Sequence, residues 1–401
     1  MVMTPHNRNI WEEKIADLRR YDLDELDPRS FDPTALESWP LPDLTFVRID
    51  GVLRSWDIER EKNQASQNPQ NQNEQDPSKP PKRMYLMEDA LTGLHSQKAN
   101  LAFAVIGNKE GVKYYMGVSI PGDRDLDTSE DENVNMVSFT SLRSILHSVY
   151  NGVDICDHPF DSEEIKSMIA PQQKYTGWVT GIPAFKSTAG DTMESEQIER
   201  LAQGLQGHEF GFMVLAIPIP NTKVSKEEFL IVDQIQRAQE NEDPEKKRRI
   251  KYYLELQDSY LKHIQLGTAV GQWLTGAFYF ASDRSVFVRL QSLLRATYTD
   301  ETSRPTPFRT HEVVGLSPHV KQFGLLKNKR EDEVFHELLE YKFLTPLSSR
   351  VLSAFIHLPK REMPGFRIKR SADFSLAPIA PKDPNRTIAV GNIIDRGMDT
   401  G

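Results

Sequence analysis

A continuous apolar run, Phe210–Pro218, is the feature that most restricts how this chain can fold. The run is too short to cross a membrane, so it predicts a strand buried on both faces of a sheet. Just before it, Ile198–Leu205 places apolar side chains on one helical face, and Gly204 or Gly207 can end that helix. A helix followed by a doubly buried strand predicts helices layered on a sheet.

The same pattern occurs earlier in the chain, where Leu86–Leu94 has helical spacing and Leu101–Gly107 is a second apolar strand. A strand rich in aromatic residues and glycine and then an amphipathic helix follow in each half: Tyr114–Val118 and Ser141–Tyr150, then Trp273–Phe280 and Ser285–Tyr298. We therefore predict an α+β fold of two duplicated two-layer α/β sandwich modules, each of about 130 residues. A charged helical insertion and an extended C-terminal segment complete the prediction.

These patterns predict four regions: an N-terminal helix and arm at 1–43, a first module at 44–172, a second module at 173–318, and a helix with an extended linker at 319–401. The stretch 64–81 is rich in Asn, Gln and Pro and cannot offset its ordering entropy, so we predict a disordered insert there. The charged insert 224–267 is divided by Pro244, which predicts a helical hairpin. The helix of the last region is predicted at Lys329–Tyr341.

Shorter signals predict details of the first module. An acidic loop is predicted at 123–135, before a helix that begins at Ser141. Asp161–Glu164 has the pattern of a capping box that starts a further helix. The acidic residues, the cysteine and the histidine within 154–161 match no known ligand spacing, so a turn and a helix cap are favoured and no metal site is predicted.

Charge and cysteine content limit the class of protein. The 401 residues include 49 Lys and Arg against 58 Asp and Glu, a net charge of −9, which argues against a wholly nucleic-acid-binding surface but leaves a local basic patch open. The single cysteine, Cys156, rules out an intrachain disulfide and is typical of a reducing compartment. Without a signal pattern or a spanning apolar run, we predict a cytoplasmic protein with no direct membrane insertion.

Two basic clusters are candidate contacts for DNA or a partner. The stronger cluster has tyrosines nearby that could stack on bases, but acidic residues flank it, so a solvated helical face is the alternative. The second cluster is smaller and lies near the C-terminus. The candidate residues are Lys246, Lys247, Arg248, Arg249, Lys251, Arg367, Lys369 and Arg370.

No catalytic motif is recognised in the chain. A phosphate-binding G-x-x-x-x-G-K-[ST] loop is absent, and the nearest string, Gly107–Lys113, has the wrong spacing and lies between two predicted strands. No serine occupies a G-x-S-x-G elbow. We therefore predict that this chain alone is not an enzyme and binds no nucleotide, metal or other cofactor.

One segment carries a resemblance to a known family. Leu347–Pro359 ends in a leucine and a proline, and Glu362–Phe366 then brings a proline, a glycine and an aromatic residue. With this segment the chain resembles the N-terminal region of HerA-type ATP-binding proteins, of the HerA–FtsK superfamily, which also includes ATPases of conjugative type IV secretion. The weaker parts of the resemblance are Thr180–Pro183, Gln197–Leu205, Gly207–Pro218, Gly271–Phe280, Pro305–Arg309 and the lead-in strand Ile388–Ile394.

The resemblance implies a non-catalytic assembly or docking region beside a DNA-translocating motor. In such proteins the Walker segments follow the region that resembles this chain, so an ATPase motor domain is expected in cis or in trans, and it would use the ATP and magnesium. A nuclease or a secretion component is the expected partner, together with weak DNA contact and a homo-oligomer. The alternative is a stand-alone protein-interaction module without a motor.

Overall fold

The computed structural model describes residues 10–19, 36–41, 43–53, 86–120, 131–150, 152–184, 197–240, 247–300, 303, 306–312, 316, 320–328, 341, 343–369, 394–395 and 398–399. The insert predicted at 64–81 and most of the helix predicted at Lys329–Tyr341 lie outside these residues.

The helices follow the apolar periodicity of the sequence. They are α1 (Ile10–Arg19), α2 (Leu86–Ser96), α3 (Asp131–Val149), α4 (Ser162–Ile169), α5 (Gln197–Gly204), α6 (Asn221–Gln239), α7 (Lys247–Val270), α8 (Arg284–Tyr298) and α9 (Ser349–Leu352).

The strands are mostly apolar or aromatic. They are β1 (Leu36–Pro40), β2 (Thr45–Leu53), β3 (Asn100–Gly107), β4 (Val112–Ser119), β5 (Asp154–Ile155), β6 (Tyr175–Thr180), β7 (Phe210–Ile219), β8 (Gln272–Ala281), β9 (Arg309–Glu312), β10 (Gly324–Asn328), β11 (Thr345–Ser348), β12 (Arg367–Lys369), β13 (Ile394–Asp395) and β14 (Met398–Asp399).

Most strands join one sheet in the order β12-β2-β4-β3-β7-β8-β6-β9, while β5 pairs with β2, and β11 pairs with β8. Each half of this sheet has the element order strand–helix–strand–strand–helix–strand, and in the second half the hairpin α6–α7 is inserted between the two middle strands. The strands of the first half lie in the order β5-β2-β4-β3, and those of the second half in the matching order β9-β6-β8-β7. The halves meet where β3 and β7 pair antiparallel, from Leu101↔Ala216 to Gly107↔Phe210. The α+β class is confirmed; that the halves arose by duplication stays a prediction.

Both faces of the sheet are covered. On β3, Leu101 and Phe103 belong to a core with the buried sides of α2, α3, α5 and α8. The alternate residues Ala102 and Ala104 belong to a second core on the opposite face, with α4, α6, α7 and β10. The doubly buried strand predicted for the apolar runs is confirmed, and the second face adds a layer that the two-layer prediction did not include. An apolar strand with two buried faces requires that cover.

The local predictions for the helices are partly confirmed. Asp161 caps α4 in a reciprocal capping box with Glu164, as predicted. Helices α6 and α7 form the predicted hairpin, in which Gln257 Nε2 donates to Gln234 Oε1 at 2.8 Å. The predicted acidic loop 123–135 is wrong at its C-terminal end, because α3 already begins at Asp131. Phe139 lies one turn before Leu142 and is buried with it, so the apolar stripe of this helix begins before Ser141, the predicted start.

Among the described helices, none combines the length and the apolar character needed to cross a bilayer.

We predict that Gly211→Ala destabilises the protein, because a Cβ on this glycine of β7 would lie 2.1 Å from the ring of Phe280 on β8. Overpacking of this kind costs about 1–3 kcal/mol. Urea denaturation measures the loss. The matched control is Gly93→Ala in α2, where the nearest atom would be 3.7 Å away, at ordinary contact distance. There the better helix propensity of alanine should stabilise by up to about 1 kcal/mol. Equal effects of the two substitutions would contradict the packing of the central strands.

Candidate functional site

The segment 343–369, which we call the strap, connects the two halves of the sheet. It contains β11, α9 and β12. Its first strand, β11, pairs antiparallel with β8 of the second half. Its last strand, β12, pairs parallel with β2 of the first half. The strap includes the segment on which the resemblance to HerA-type proteins mainly depends.

Polar side chains hold the start of the strap to the second half. Ser349 Oγ donates to the carbonyl oxygen of Val270 at 2.6 Å and accepts from Trp273 Nε1 at 3.0 Å. His263 Nε2 lies 2.7 Å from the carbonyl oxygen of Pro346 and therefore donates to it. Burial lowers the pKa of His263, so the imidazole is neutral with its proton on Nε2. These contacts fix β11 and the start of α9 against β8 and α7.

An aromatic cluster anchors the middle of the strap. The ring centroid of Phe355 is 5.0 Å from that of Tyr298 and 5.7 Å from that of Phe212. The ring centroid of Phe308 is 6.2 Å from that of Phe355. The Phe355 side chain is therefore enclosed by β7, α8 and the segment before β9. Buried aromatic side chains contribute much of the packing energy of a core.

A buried histidine of the strap caps α5. His357 Nε2 accepts a hydrogen bond from the backbone N–H of Ile198, in the first turn of that helix, at 3.2 Å. Burial and then the nearby Lys360 charge lower the pKa of His357 to about 3, so the ring is neutral and Nε2 can accept. One residue along the helix, Glu199 accepts from the backbone N–H of Lys360. His357 thus satisfies one N–H that the helix N-terminus leaves open, and Glu199 in turn satisfies a backbone N–H of the strap.

The strap reaches the first half through an ion pair. Arg350 Nε donates to both carboxylate oxygens of Glu88 on α2, at 3.1 and 2.9 Å. The Glu88 side chain is only 7% exposed, whereas that of Arg350 is 34% exposed. A carboxylate at this depth requires a cationic partner. The pair therefore ties α2 of the first half to a segment anchored in the second half.

The last part of the strap lies on the first half alone. The backbone N–H of Val112 donates to the carbonyl oxygen of Pro364 at 2.8 Å. The Tyr114 hydroxyl contacts the sulfur of Met363 at 3.1 Å, and its ring packs on Phe366 at 5.2 Å. Strand β12 then continues beside β2, so the chain leaves the strap at the first strand of the first half.

The candidate basic residues lie on two different elements. Lys247, Arg248, Arg249 and Lys251 are exposed on α7, at the start of the helix. Arg367 and Lys369 lie on β12. Both side chains point to Asp154 of β5, at 3.5 and 2.9 Å from its Oδ2, so one carboxylate balances part of their charge. Lys246 and Arg370 lie outside the described residues.

The sequence did not identify the residues that hold the strap. Glu88 carried only one signal, a charge beside the buried stripe of Met87, Leu91 and Leu94. His357 stands in a mostly apolar stretch, where a core histidine is the ordinary interpretation. The partners of both residues are distant in sequence, so local pattern could not reveal them.

The residues within 154–161 do not assemble a metal centre. Cys156 Sγ lies 3.5 Å from His158 Nδ1, and Asp161 caps α4. In the described part of the chain, no three His, Cys, Asp or Glu side chains converge as metal ligands would.

We predict that Arg350→Gln destabilises the protein by roughly 1.5–3 kcal/mol, because it leaves the buried Glu88 carboxylate without its charged donor. Urea denaturation measures the global loss, and hydrogen exchange should rise most in the strap. The double variant Glu88→Gln/Arg350→Gln is the control, since it leaves no buried charge. If the double variant is destabilised by as much as the sum of the two single variants, the residues are not coupled.

We predict that acid weakens the fold through His357. In the unfolded chain the imidazole takes a proton below its ordinary pKa of 6.5, whereas the folded protein holds it neutral down to about 3. The stability from the neutral ring is complete above 6.5 and is lost as the pH falls toward 3, by about 1.4 kcal/mol per pH unit. Urea denaturation between pH 5 and 7.5 measures this slope. His357→Gln, whose amide oxygen can still accept from Ile198, should reduce the slope; an unchanged slope would contradict the buried neutral ring.

No protein-family model matches this chain, and no curated protein matches it.

Proposed function

We propose that this chain is a non-catalytic docking region of a HerA-type DNA-translocating ATPase, and that the strap joins it to the motor. The motor is expected in cis or in trans and would use the ATP and magnesium. The chain would serve as a rigid platform in the cytoplasm that contacts subunits or a partner such as a nuclease or a secretion component.

The observation that carries the proposal is the path of the strap. The strap, which contains the most specific part of the resemblance to HerA-type proteins, pairs with β8 of the second half and with β2 of the first half. A segment anchored in this way can pass a displacement at its end to the whole sheet. A platform beside a motor needs that property, because a loose attachment would absorb the movement instead.

The burial of the strap supports a mechanical role. Leu352, Phe355 and Ile356 belong to the core on the face of the sheet that α2, α3, α5 and α8 cover. Arg350 and His357 hold elements of both halves through hydrogen bonds. Pulling the strap out would expose these apolar side chains and leave Glu88 without its partner, so the attachment resists load.

A second candidate function is the stand-alone protein-interaction module. One observation favours it: Phe229 and Val232, one turn apart on α6, are 74% and 45% exposed. Exposed large apolar side chains on a helix are typical of contact sites for another protein. The same surface would equally serve subunit contacts in the first proposal, so the two functions differ in the identity of the partner.

Cross-linking in cells that make the protein naturally tests the proposal. Lys369 at the end of the strap has a half-exposed side chain and can react with a lysine cross-linker. Mass spectrometry should find it joined to a polypeptide, or to a continuation of the same chain, that carries Walker A and Walker B motifs. The exposed Lys223 on α6 is the control for general reactivity.

Cross-links from Lys369 only to proteins without a nucleotide-binding motif would contradict the motor and support the stand-alone module. Calorimetry gives a second check, because the purified chain should show no ATP binding in the presence of magnesium. Micromolar binding would contradict a non-catalytic platform.

A further inference from the structure

The outward side of α6 carries the most exposed large apolar side chain of the described residues. Phe229 is 74% exposed, and Val232, one turn further along, is 45% exposed. The opposite side of the helix is buried in the protein at Val224, Glu227, Ile231 and Ala238. Because the helix has a buried side of its own, the exposed pair is not needed to hold it in place.

The second helix of the hairpin uses its apolar side within the chain. Helix α1 packs against α7, where Leu18 shares a small buried core with Ile250 and Leu256. Tyr260 of α7 is buried in the larger core beneath the hairpin. The apolar side of α7 is thus occupied, and the exposed apolar pair of the hairpin belongs to α6.

Charges of opposite sign flank this pair along the helix. The exposed Lys226 precedes Phe229 by about one turn, and Asp233, whose side chain is 49% exposed, follows it by about one turn. The two charges lie on the same side of the helix, because they are about two turns apart. Arg237 Nη2 contacts Asp233 Oδ2 at 2.8 Å and so positions that carboxylate. A cation therefore lies on the N-terminal side of the apolar pair and a carboxylate on its C-terminal side.

We propose that this α6 face (Lys226, Phe229, Val232 and Asp233) binds the same face of a second copy of the chain, with the two helices antiparallel. In a twofold-symmetric contact the same residues of the two chains meet in exchanged positions. The midpoint between Lys226 and Asp233 lies beside Phe229. An antiparallel pair centred there sets each Lys226 opposite Asp233 of the partner subunit, and the apolar side chains of both chains pack between the two ion pairs.

The charge pattern opposes a parallel pair. With parallel helices, Lys226 would face Lys226 of the partner subunit, and the two Asp233 carboxylates would meet as well. Like charges in contact are destabilising. Antiparallel helices also place the positive end of one helix dipole beside the negative end of the other. The face is therefore complementary to itself in the antiparallel orientation.

The same pattern fits a second copy better than a membrane. A helix that lies on a lipid surface presents a broad apolar face with Lys and Arg on its polar side. On α6 the exposed large apolar side chains are Phe229 and Val232, and the carboxylate of Asp233 shares their face. An anionic leaflet attracts basic segments, so this carboxylate would weaken the attraction. A cation and a carboxylate placed evenly about an apolar pair are what a twofold contact requires.

This inference deepens the proposed function, in which the chain contacts subunits, and it rests on that function for the role of the dimer. A contact made by one helix from each chain is at the low end of interface sizes, so we expect a dissociation constant in the micromolar range. A motor that brings copies together would raise their effective concentration and strengthen the contact.

Sedimentation velocity with the full chain tests the apolar part of the contact. The unmodified chain should pass from monomer to dimer across the micromolar range. Phe229→Ser should raise the dissociation constant by about a hundredfold, because two aromatic side chains are lost from the interface. Val232→Ser should raise it by about tenfold.

The matched control is Val288→Ser on α8. Val288 is 44% exposed, against 45% for Val232, so the two substitutions change the surface of the monomer alike. The control should leave the dissociation constant unchanged. Each substituted side chain is exposed, so the Tm, measured where the unmodified chain is monomeric, should be the same for every variant. A lost dimer with an unchanged Tm separates binding from folding.

Exchanged charges test the antiparallel register. Lys226→Glu alone sets carboxylates against each other in both ion pairs, and Asp233→Lys alone sets ammonium groups against each other. Each variant should raise the dissociation constant by at least about tenfold. A mixture of the two variants should restore the dimer. The new carboxylate of one chain then faces the new ammonium of the other, while the native Asp233 and Lys226 form the second pair.

A chain that stays monomeric at every concentration, or a mixture that associates no better than its components, would overturn the inference. Equal losses in Val232→Ser and Val288→Ser would overturn it too, since association would then follow surface apolarity alone. Binding to anionic vesicles by a monomeric chain, abolished by Phe229→Ser, would assign the face to a membrane instead.

The cross-links of Lys369 give an independent result on the motor. A motor found at Lys369 of a monomeric chain would reject the dimer and keep the proposed function. A dimer whose Lys369 contacts no nucleotide-binding protein would keep the α6 contact and reject the motor.

Discussion

The antiparallel pairing of β3 with β7 is the interaction on which the rest of the structure depends. These strands belong to different halves and are buried on both faces, with Phe103 and Phe212 on one side and Ala102 and Leu215 on the other. If the halves separated, each strand would become an apolar edge with unpaired backbone N–H and C=O groups. Such an edge is costly in water and prone to pair with another chain. The two halves are therefore one folding unit at their centre.

The strap also joins the two halves, on the face of the sheet that α2, α3, α5 and α8 cover. It fills the space above the strands with Phe355 and Ile356 and supplies hydrogen-bond partners where the halves leave polar groups buried. Its polar contacts are specific: Arg350 meets the Glu88 carboxylate, and His357 meets an open N–H of α5. Because each contact has one satisfactory geometry, the strap fixes the position of the chain as it reaches β12. Under the proposed function, this fixed position would let the chain work beside a motor.

Charge in this protein has different roles in different places. The cations of β12 face Asp154 and serve to join the strap to β5. The cations of α7 gather at a helix start, where they gain nothing from the helix dipole. The same residue types therefore stabilise the fold at one cluster and oppose local stability at the other. Composition alone, with its overall negative charge, predicted neither arrangement.

The sequence by itself determined the elements whose signals are local. Continuous apolar runs predicted β3 and β7, a run rich in aromatic residues and glycine predicted β8, and a period of 3.6 residues predicted α2 and α8. The pattern at Asp161–Glu164 predicted the cap of α4. These succeed because a side chain on a strand or helix is directed by its own backbone. The predicted start of α3 was wrong because the first turns of this helix are polar, and polar residues of a surface helix resemble a loop in sequence.

Only the tertiary structure decided the strand order, the cover on the second face, the path of the strap and the contact of α1 with α7. These depend on residues far apart in the chain; Arg350 and Glu88 are separated by 262 positions. The energy of such a pair comes from burial and geometry, which exist only after folding, so no local pattern carries it.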